Sequence, residues 1–150
     1  SAARPSATVE GMLRDERAWG VDGAAFYRDF GARVERLRAD LRALLAELKA
    51  QGKRVAVYGA SAKGSTLLNY CGIRTDLLEY TVDRSPHKQG RYLPGVHIPI
   101  HAPDHLLRTK PDYVLLLPWN LQNEITHQMA AVRQWGGRFV IPIPEARVLD

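Results

Sequence analysis

The sequence has 150 residues, of which 45% are hydrophobic and 25% charged, with a mean hydropathy of −0.27. This composition is typical of a globular domain and excludes a disordered chain and a membrane-spanning helix of roughly 18 apolar residues. The first residues contain no apolar segment, so we expect no signal peptide. The net charge of +5 is too small, and its basic residues too scattered, for a nucleic-acid interface. A single cysteine, Cys71, excludes an internal disulfide and a multi-cysteine zinc site. We therefore expect a cytoplasmic protein with no nucleic-acid or membrane partner.

Residues 1–21 mix glycine, proline and charges, and we expect an irregular arm or linker. A helix is predicted from an N-cap at Asp22 to a C-terminal glycine at Gly52. It would have about 28 residues and a length of roughly 42 Å. Its apolar residues lie on one stripe, which either packs on the core of the same domain or docks on a partner chain or another domain. That stripe contains Phe30, Val34, Leu37, Leu41, Leu44 and Leu48.

From residue 53 onward, short apolar runs alternate with helical patterns. Strands are predicted at 54–58, 79–82, 96–100, 113–117 and 138–141, and helices at 61–73, 103–108 and 121–135. Alternating strands and helices indicate parallel βαβ units, and uniformly apolar strands indicate burial on both faces. We expect an α/β fold with a doubly wound, mainly parallel sheet of about five strands in the order 3-2-1-4-5.

The turn at residues 59–66, GASAKGST, joins the first strand to a helix, where exposed N–H groups and the helix dipole favour an anion. Gly59 and Gly64 match the outer glycines of the dinucleotide-binding pattern, while Ser61 replaces the middle one. Lys63 precedes Gly64 instead of following it, which rules out a Walker motif. The turn therefore predicts an anion or nucleotide site without naming a cofactor. The alternative is a tight turn with no ligand.

Each residue of this turn has an expected role in the site. Gly59 permits the sharp exit from the strand, and Gly64 allows the helix to pack closely on the sheet. We expect the amides of residues 62–65 to face a phosphate, Lys63 to add a positive charge, and hydroxyl groups to donate hydrogen bonds. Those hydroxyls belong to Ser61, Ser65 and Thr66.

Two further segments follow predicted strands and complete the candidate site. Asp83 ends the second strand, where an acid commonly holds ribose hydroxyls; the alternative is a turn cap. Trp119 and Asn120 follow the fourth strand and form the second lip of a crevice opposite Gly59. Trp119 either stacks on a base or sugar or packs on a neighbouring domain, and Asn120 either contacts the ligand or caps the next helix.

No catalytic or metal-binding residue is predicted. His97, His101 and His105 are spaced by four, but intervening prolines break a continuous helix through them. We find no nucleophile–base–acid set and no acid/base pair of carboxyl groups.

Three separated segments resemble a known family: GKRVAVYGASAKGSTLLNY, YTVDRSPHKQGRYLPGVHIPI and PDYVLLLPWNLQNEI. Together they resemble the C-terminal domain of the S-adenosylmethionine-dependent C-methyltransferases, which include sugar-nucleotide C-methyltransferases. The resemblance covers residues 20–149. It implies a Rossmann-like domain at residues 22–150, with residues 1–21 as a linker from a preceding domain. It also implies a zinc-binding part and an S-adenosylmethionine-binding middle domain outside this chain.

The resemblance implies that the chain is a substrate-binding or accessory domain of a larger transferase, inactive alone and without its own cofactor. Its partners would be a nucleotide-linked sugar, the missing methyltransferase domain and, through the long helix, a second copy. Two alternatives stay open. One is a free-standing module that binds a nucleotide or coenzyme A, and the other is a structural or dimerisation domain with an empty turn.

Overall fold

The computed structural model describes residues 5–149, which form two compact units divided between Glu35 and Arg36. The first unit is helical, and the second contains the sheet. The first four residues of the predicted arm, and Asp150, lie outside the described residues. Among residues 5–149, no helix combines the length and the apolar character needed to cross a lipid bilayer.

The first unit contains a helix that the sequence pattern does not predict. Helix α1, Ala7–Trp19, begins where Ser6 Oγ accepts a hydrogen bond from the Val9 amide at 3.4 Å. It ends at Gly20, whose φ of 85° is the left-handed conformation typical of a helix terminus. The prediction of an irregular arm is thus wrong for these residues. No α1 side chain is buried, so the helix has no apolar core stripe by which periodicity could reveal it.

The predicted single helix from Asp22 to Gly52 is also wrong in its first part. A one-turn helix, α2, spans Ala24–Tyr27, and α3 then spans Phe30–Ala50. Gly20, Gly23 and Gly31 fall in or beside this stretch, and glycine lowers helix propensity by about 1 kcal/mol per residue relative to alanine.

The predicted apolar stripe is confirmed from Leu37 onward. Leu41 and Leu48 are buried in the core and Leu37 and Leu44 are partly buried against it, whereas Phe30 is 58% exposed. The predicted end is confirmed. Gly52 has a φ of 72°, and its amide and that of Lys53 donate to the last turn of α3.

The second unit is built on a six-stranded sheet in the order β3-β2-β1-β4-β5-β6. All neighbouring strands pair in parallel except β5 and β6. The predicted order 3-2-1-4-5 is confirmed, and the sixth strand, of two residues, is an addition. The strands are Val55–Tyr58 (β1), Thr81–Val82 (β2), Ile100–His101 (β3), Tyr113–Leu116 (β4), Arg138–Ile141 (β5) and Arg147–Val148 (β6).

Two apolar clusters occupy the two faces of the sheet. One joins α3 and α4, Ala62–Cys71, to the sheet, and includes the buried Cys71. The other contains side chains of α5, Asp104–Thr109, and α6, Gln122–Gln128. The helix predicted over 121–135 is instead interrupted: short 3-10 helices at Trp119–Leu121 and Ala130–Trp135 flank α6.

Two glycines permit the turn after β1 to lie against the end of β4. A Cβ at Gly59, whose φ is 97°, would lie 2.7 Å from Cδ of Pro118. A Cβ at Gly64 would lie 2.7 Å from Cβ of Leu117. Both distances are far inside van der Waals contact, so only glycine fits either position without a shift of the backbone. This close packing positions the candidate site.

We expect Gly64→Ala to lower the free energy of unfolding by about 1–3 kcal/mol, because the added methyl group overpacks the contact with Leu117. Gly31→Ala is the matched control, since Gly31 also lies in a helix but has open space around its Cα. Alanine there should stabilise the chain by about 0.5–1 kcal/mol through helix propensity. Urea denaturation of the two variants checks this. Equal effects would contradict the packing role of Gly64.

Candidate functional site

The turn between β1 and α4 contains the helix N-terminus predicted to receive an anion. Ser61 is the N-cap residue: its Oγ accepts from the Gly64 amide at 3.2 Å, and its carbonyl accepts from the Ser65 amide at 2.9 Å. The expectation that the amides of residues 62–65 all face a phosphate is therefore wrong for Gly64 and Ser65. The amides of Ala62 and Lys63 remain, since the first amides of a helix have no acceptor within it.

The other two hydroxyl groups of the turn also donate within the protein. Thr66 Oγ1 donates to the Ala62 carbonyl at 3.1 Å, and Ser65 Oγ donates to the Pro94 carbonyl at 3.4 Å. Each hydroxyl uses its one proton in these bonds and retains lone pairs that can accept. The predicted donor role of Ser65 and Thr66 toward a ligand would therefore require these internal contacts to change, whereas Ser61 Oγ accepts from the Gly64 amide and keeps its proton for a ligand.

The structure brings Lys63, Trp119 and Asn120 together at the carboxyl edge of the sheet. Lys63 Nζ donates a hydrogen bond to Asn120 Oδ1 and lies 4.4 Å from the centroid of the Trp119 ring. Lys63 and Asn120 are exposed, while Trp119 is half-buried against the core. The two predicted lips of the crevice are thus in contact, and an ammonium group, held by a ring face and an amide, lies between them.

Asn120 does not cap the helix that follows it. The residue before α6 is Leu121, and neither it nor Pro118, which precedes the 3-10 turn, supplies a side-chain cap. Of the two roles that the sequence left open for Asn120, the structure excludes the helix cap, and the ligand contact stays a prediction. Instead Asn120 provides the acceptor that holds Lys63.

Asp83 ties the turn to the loop that follows β2. Its Oδ2 accepts from the Ala60 amide at 2.7 Å and from Lys88 Nζ at 3.2 Å, and its Oδ1 accepts from the Ser85 amide at 2.9 Å. Burial raises the pKa of this carboxyl group, but these three donors outweigh it and hold the pKa below its ordinary value. The carboxylate thus acts here as a turn cap, and a ribose would have to compete with protein donors.

Sequence reasoning missed Thr81 as part of this arrangement. Its hydroxyl, fully buried, donates to the Gly59 carbonyl at 3.0 Å. A threonine in an otherwise apolar strand was the available signal. With Asp83 on the Ala60 amide, β2 and the residue that follows it hold both polar atoms of the peptide group between Gly59 and Ala60.

Two of the three histidines that the sequence spaces by four lie side by side. The rings of His101 and His105 stack with centroids 4.2 Å apart, beside Tyr80. Burial, together with the neighbouring His101 and Arg108, lowers the pKa of His105. Among residues 5–149 no three metal-ligating side chains lie close enough to hold an ion.

The fold and the turn define a Rossmann-like α/β domain with a polar cluster at the carboxyl edge of its central strands. Residues 1–144 match the family described as the C-methyltransferase C-terminal domain, and the chain belongs to this family. The resemblance seen in the three sequence segments is confirmed.

A curated relative supports the same family. C-methyltransferase NovU of Streptomyces niveus is 44% identical over 142 residues, which are 95% of this chain and 34% of that protein. The chain therefore spans about a third of the length of this relative. Among solved structures, UDP-D-quinovosamine 4-dehydrogenase from Vibrio fischeri matches with a TM-score of 0.46 and 18% identity, over 65% of this chain and 93% of that one.

We expect Asp83→Asn to lower the free energy of unfolding at pH 7 by about 1.5–3 kcal/mol, because hydrogen bonds to a charged acceptor are lost. The folded pKa lies below the ordinary 3.8, so the carboxylate stabilises the fold above that pH and loses this effect as the pH falls through the folded value. The difference between wild type and variant should therefore shrink below pH 3.8.

The control for this prediction is Asp76→Asn, which changes an exposed carboxyl group in a surface turn. Its effect should stay within about 0.5 kcal/mol at every pH. Urea denaturation measured from pH 3 to pH 7 gives both curves. If the difference in the free energy of unfolding between wild type and Asp83→Asn did not change with pH, the stabilising role of the Asp83 carboxylate would be contradicted.

Proposed function

We propose that the chain is the substrate-binding domain of an S-adenosylmethionine-dependent C-methyltransferase and that it receives the diphosphate of a nucleotide-linked sugar at Lys63. The observation that carries this proposal is the contact of Lys63 with Trp119 and Asn120 beside the first turn of α4. Family membership and the relative C-methyltransferase NovU support the methyltransferase part.

The geometry favours exchange of the Asn120 amide for a phosphate oxygen. Asn120 offers Lys63 a neutral acceptor, whereas a phosphate offers a charged one, and charge-assisted hydrogen bonds are roughly twice as strong. The Trp119 ring attracts the ammonium group and limits its movement. The amides of Ala62 and Lys63, at the positive end of the helix dipole, would donate to the same anion.

We place the methyl donor and its site in the part of the longer protein outside this chain. The donor would be S-adenosylmethionine, and zinc would belong to that part as well. The methyl donor carries no phosphate group, so an anion site at the first turn of α4 suits the diphosphate of the substrate rather than the donor.

A second candidate is a structural or dimerisation domain with an empty turn. The hydroxyl groups of Ser61, Ser65 and Thr66 and the carboxylate of Asp83 all have partners within the protein. These internal contacts favour a turn that serves the fold alone. The two candidates predict different effects on substrate binding when the Lys63 ammonium group is removed.

We expect Lys63→Ala, made in the complete methyltransferase, to raise the KM for the nucleotide-linked substrate roughly 10- to 150-fold, which corresponds to loss of a charge-assisted contact. The KM for the methyl donor should change little. Lys49→Ala is the matched control, because Lys49 is an exposed lysine in the last turn of α3, which precedes β1 and so lies at the opposite edge of the sheet.

Steady-state kinetics with each substrate varied in turn measures both constants. The structural candidate predicts that Lys63→Ala and Lys49→Ala behave alike, with neither KM changed. That result, with both variants folded by circular dichroism, would exclude the proposed substrate role of Lys63.

A further inference from the structure

Helix α1 exposes large apolar side chains along one side. Val9 is 44% exposed, Met12 59%, Leu13 42% and Trp19 72%. At 3.6 residues per turn these four positions fall within an arc of about 120° around the helix axis. We name these four residues the α1 face. Exposed apolar side chains that are grouped on one surface, rather than scattered singly, mark a site of interaction.

The end of the α1 face is held in place by aromatic contacts. The Trp19 ring meets the Phe26 ring edge to face, with centroids 5.5 Å apart, and Phe26 packs in the same way on Tyr27 at 5.0 Å. Tyr27 Oη donates to the Val21 carbonyl at 2.7 Å. The Trp19 side chain is therefore exposed and yet restrained, and tryptophan is among the residues that contribute most to binding at interfaces.

The stability of α1 itself requires a packing partner. An isolated helix of 13 residues is only marginally stable in water, because most helix stability in proteins comes from the packing of an apolar face. No side chain of α1 is buried. The family match nevertheless begins at residue 1, so α1 belongs to the family's domain and is not an appended tail. The surface that stabilises α1 therefore lies outside this chain.

Acidic groups set the chemistry of that surface. Met12 and Trp19 line a shallow groove of about 430 Å³ together with Asp15 and Glu16. An apolar floor edged by two carboxylates fits an apolar side chain that has lysine or arginine beside it. Such charges at the rim of an interface contribute to orientation and to the rate of association more than to affinity.

We propose that the α1 face docks on the preceding part of the longer methyltransferase, through an apolar surface edged by basic side chains. This inference rests on the part of the proposed function that places a further domain outside this chain. The matched family is described as a C-terminal domain, and the chain spans 34% of the length of its curated relative. About two-thirds of that relative therefore lies outside the matched region.

The tether to the preceding part favours it over a second copy as the occupant. Among the described residues, α1 is the first helix and so follows that part most directly. A surface joined to α1 through the same chain acts at an effective concentration in the millimolar range for a short linker. A second copy of the domain has to associate from free solution, without that advantage.

The test compares hydrogen exchange in the 150-residue chain and in the complete methyltransferase. The amides of residues 11–19 should exchange at least about tenfold more slowly in the complete protein, because docking suppresses local opening of α1. In the complete protein, Met12→Gln should reduce this protection at least about threefold, since an apolar contact is lost. Arg14→Gln is the matched control, because it places the same side chain on the opposite side of the helix, and it should leave the protection unchanged.

Two outcomes would overturn the docking. In the first, residues 11–19 exchange equally fast in the two proteins, or Met12→Gln and Arg14→Gln behave alike. In the second, protection of α1 in the 150-residue chain rises with concentration and sedimentation shows a dimer, so that a second copy is the occupant. Slow exchange of α1 in a complete protein whose substrate KM is insensitive to Lys63→Ala would support the docking while the proposed role of Lys63 fails.

Discussion

The rest of the candidate site depends on one close approach, that of the β1–α4 turn to the end of β4. Gly59 lies against the Pro118 ring and Gly64 against Leu117. Both contacts are so close that a Cβ atom at either glycine would clash with its neighbour. From the other side, β2 holds the turn through the buried hydroxyl of Thr81 and the carboxylate of Asp83. Because three adjacent strands fix its backbone, the turn presents Lys63 to Trp119 and Asn120 in a defined position. The fixed backbone thereby limits the positions that the long, flexible Lys63 side chain can give to its ammonium group.

Much of the sheet could be predicted from the sequence, because buried parallel strands leave a strong signal. The apolar runs around Val57 and Leu115 have no alternation, and that pattern indicates burial on both faces. The helices were less predictable. In α1 no side chain is buried, so periodicity carries no information, and the break before Phe30 depends on glycines whose effect is small beside tertiary packing. The strand β6 has only two residues, too few for any pattern.

The candidate site was predictable in its location and only partly in its contacts. The carboxyl ends of β1 and β4 adjoin in a doubly wound sheet, so Lys63 and Asn120 could be placed near each other from strand order alone. The hydrogen-bond partners of the site residues could not be predicted from strand order in the same way. Ser61 caps its own helix, which is a local contact, whereas Asp83 accepts from the Ala60 amide, 23 residues away in the sequence. Likewise, Asn69 joins α4 to the loop before β3 by donating to the Pro94 carbonyl, 25 residues away in the sequence.

We propose that the Lys63 ammonium group contacts the Asn120 amide until a phosphate oxygen displaces that amide. Crystal structures of the chain grown with and without a nucleoside diphosphate test this directly. Without ligand, Lys63 Nζ should contact Asn120 Oδ1 and the Trp119 ring. With ligand, a phosphate oxygen should accept from Lys63 Nζ and from the amides of Ala62 and Lys63. A saturated crystal in which Lys63 still contacts Asn120, with the diphosphate bound elsewhere or absent, would contradict the account.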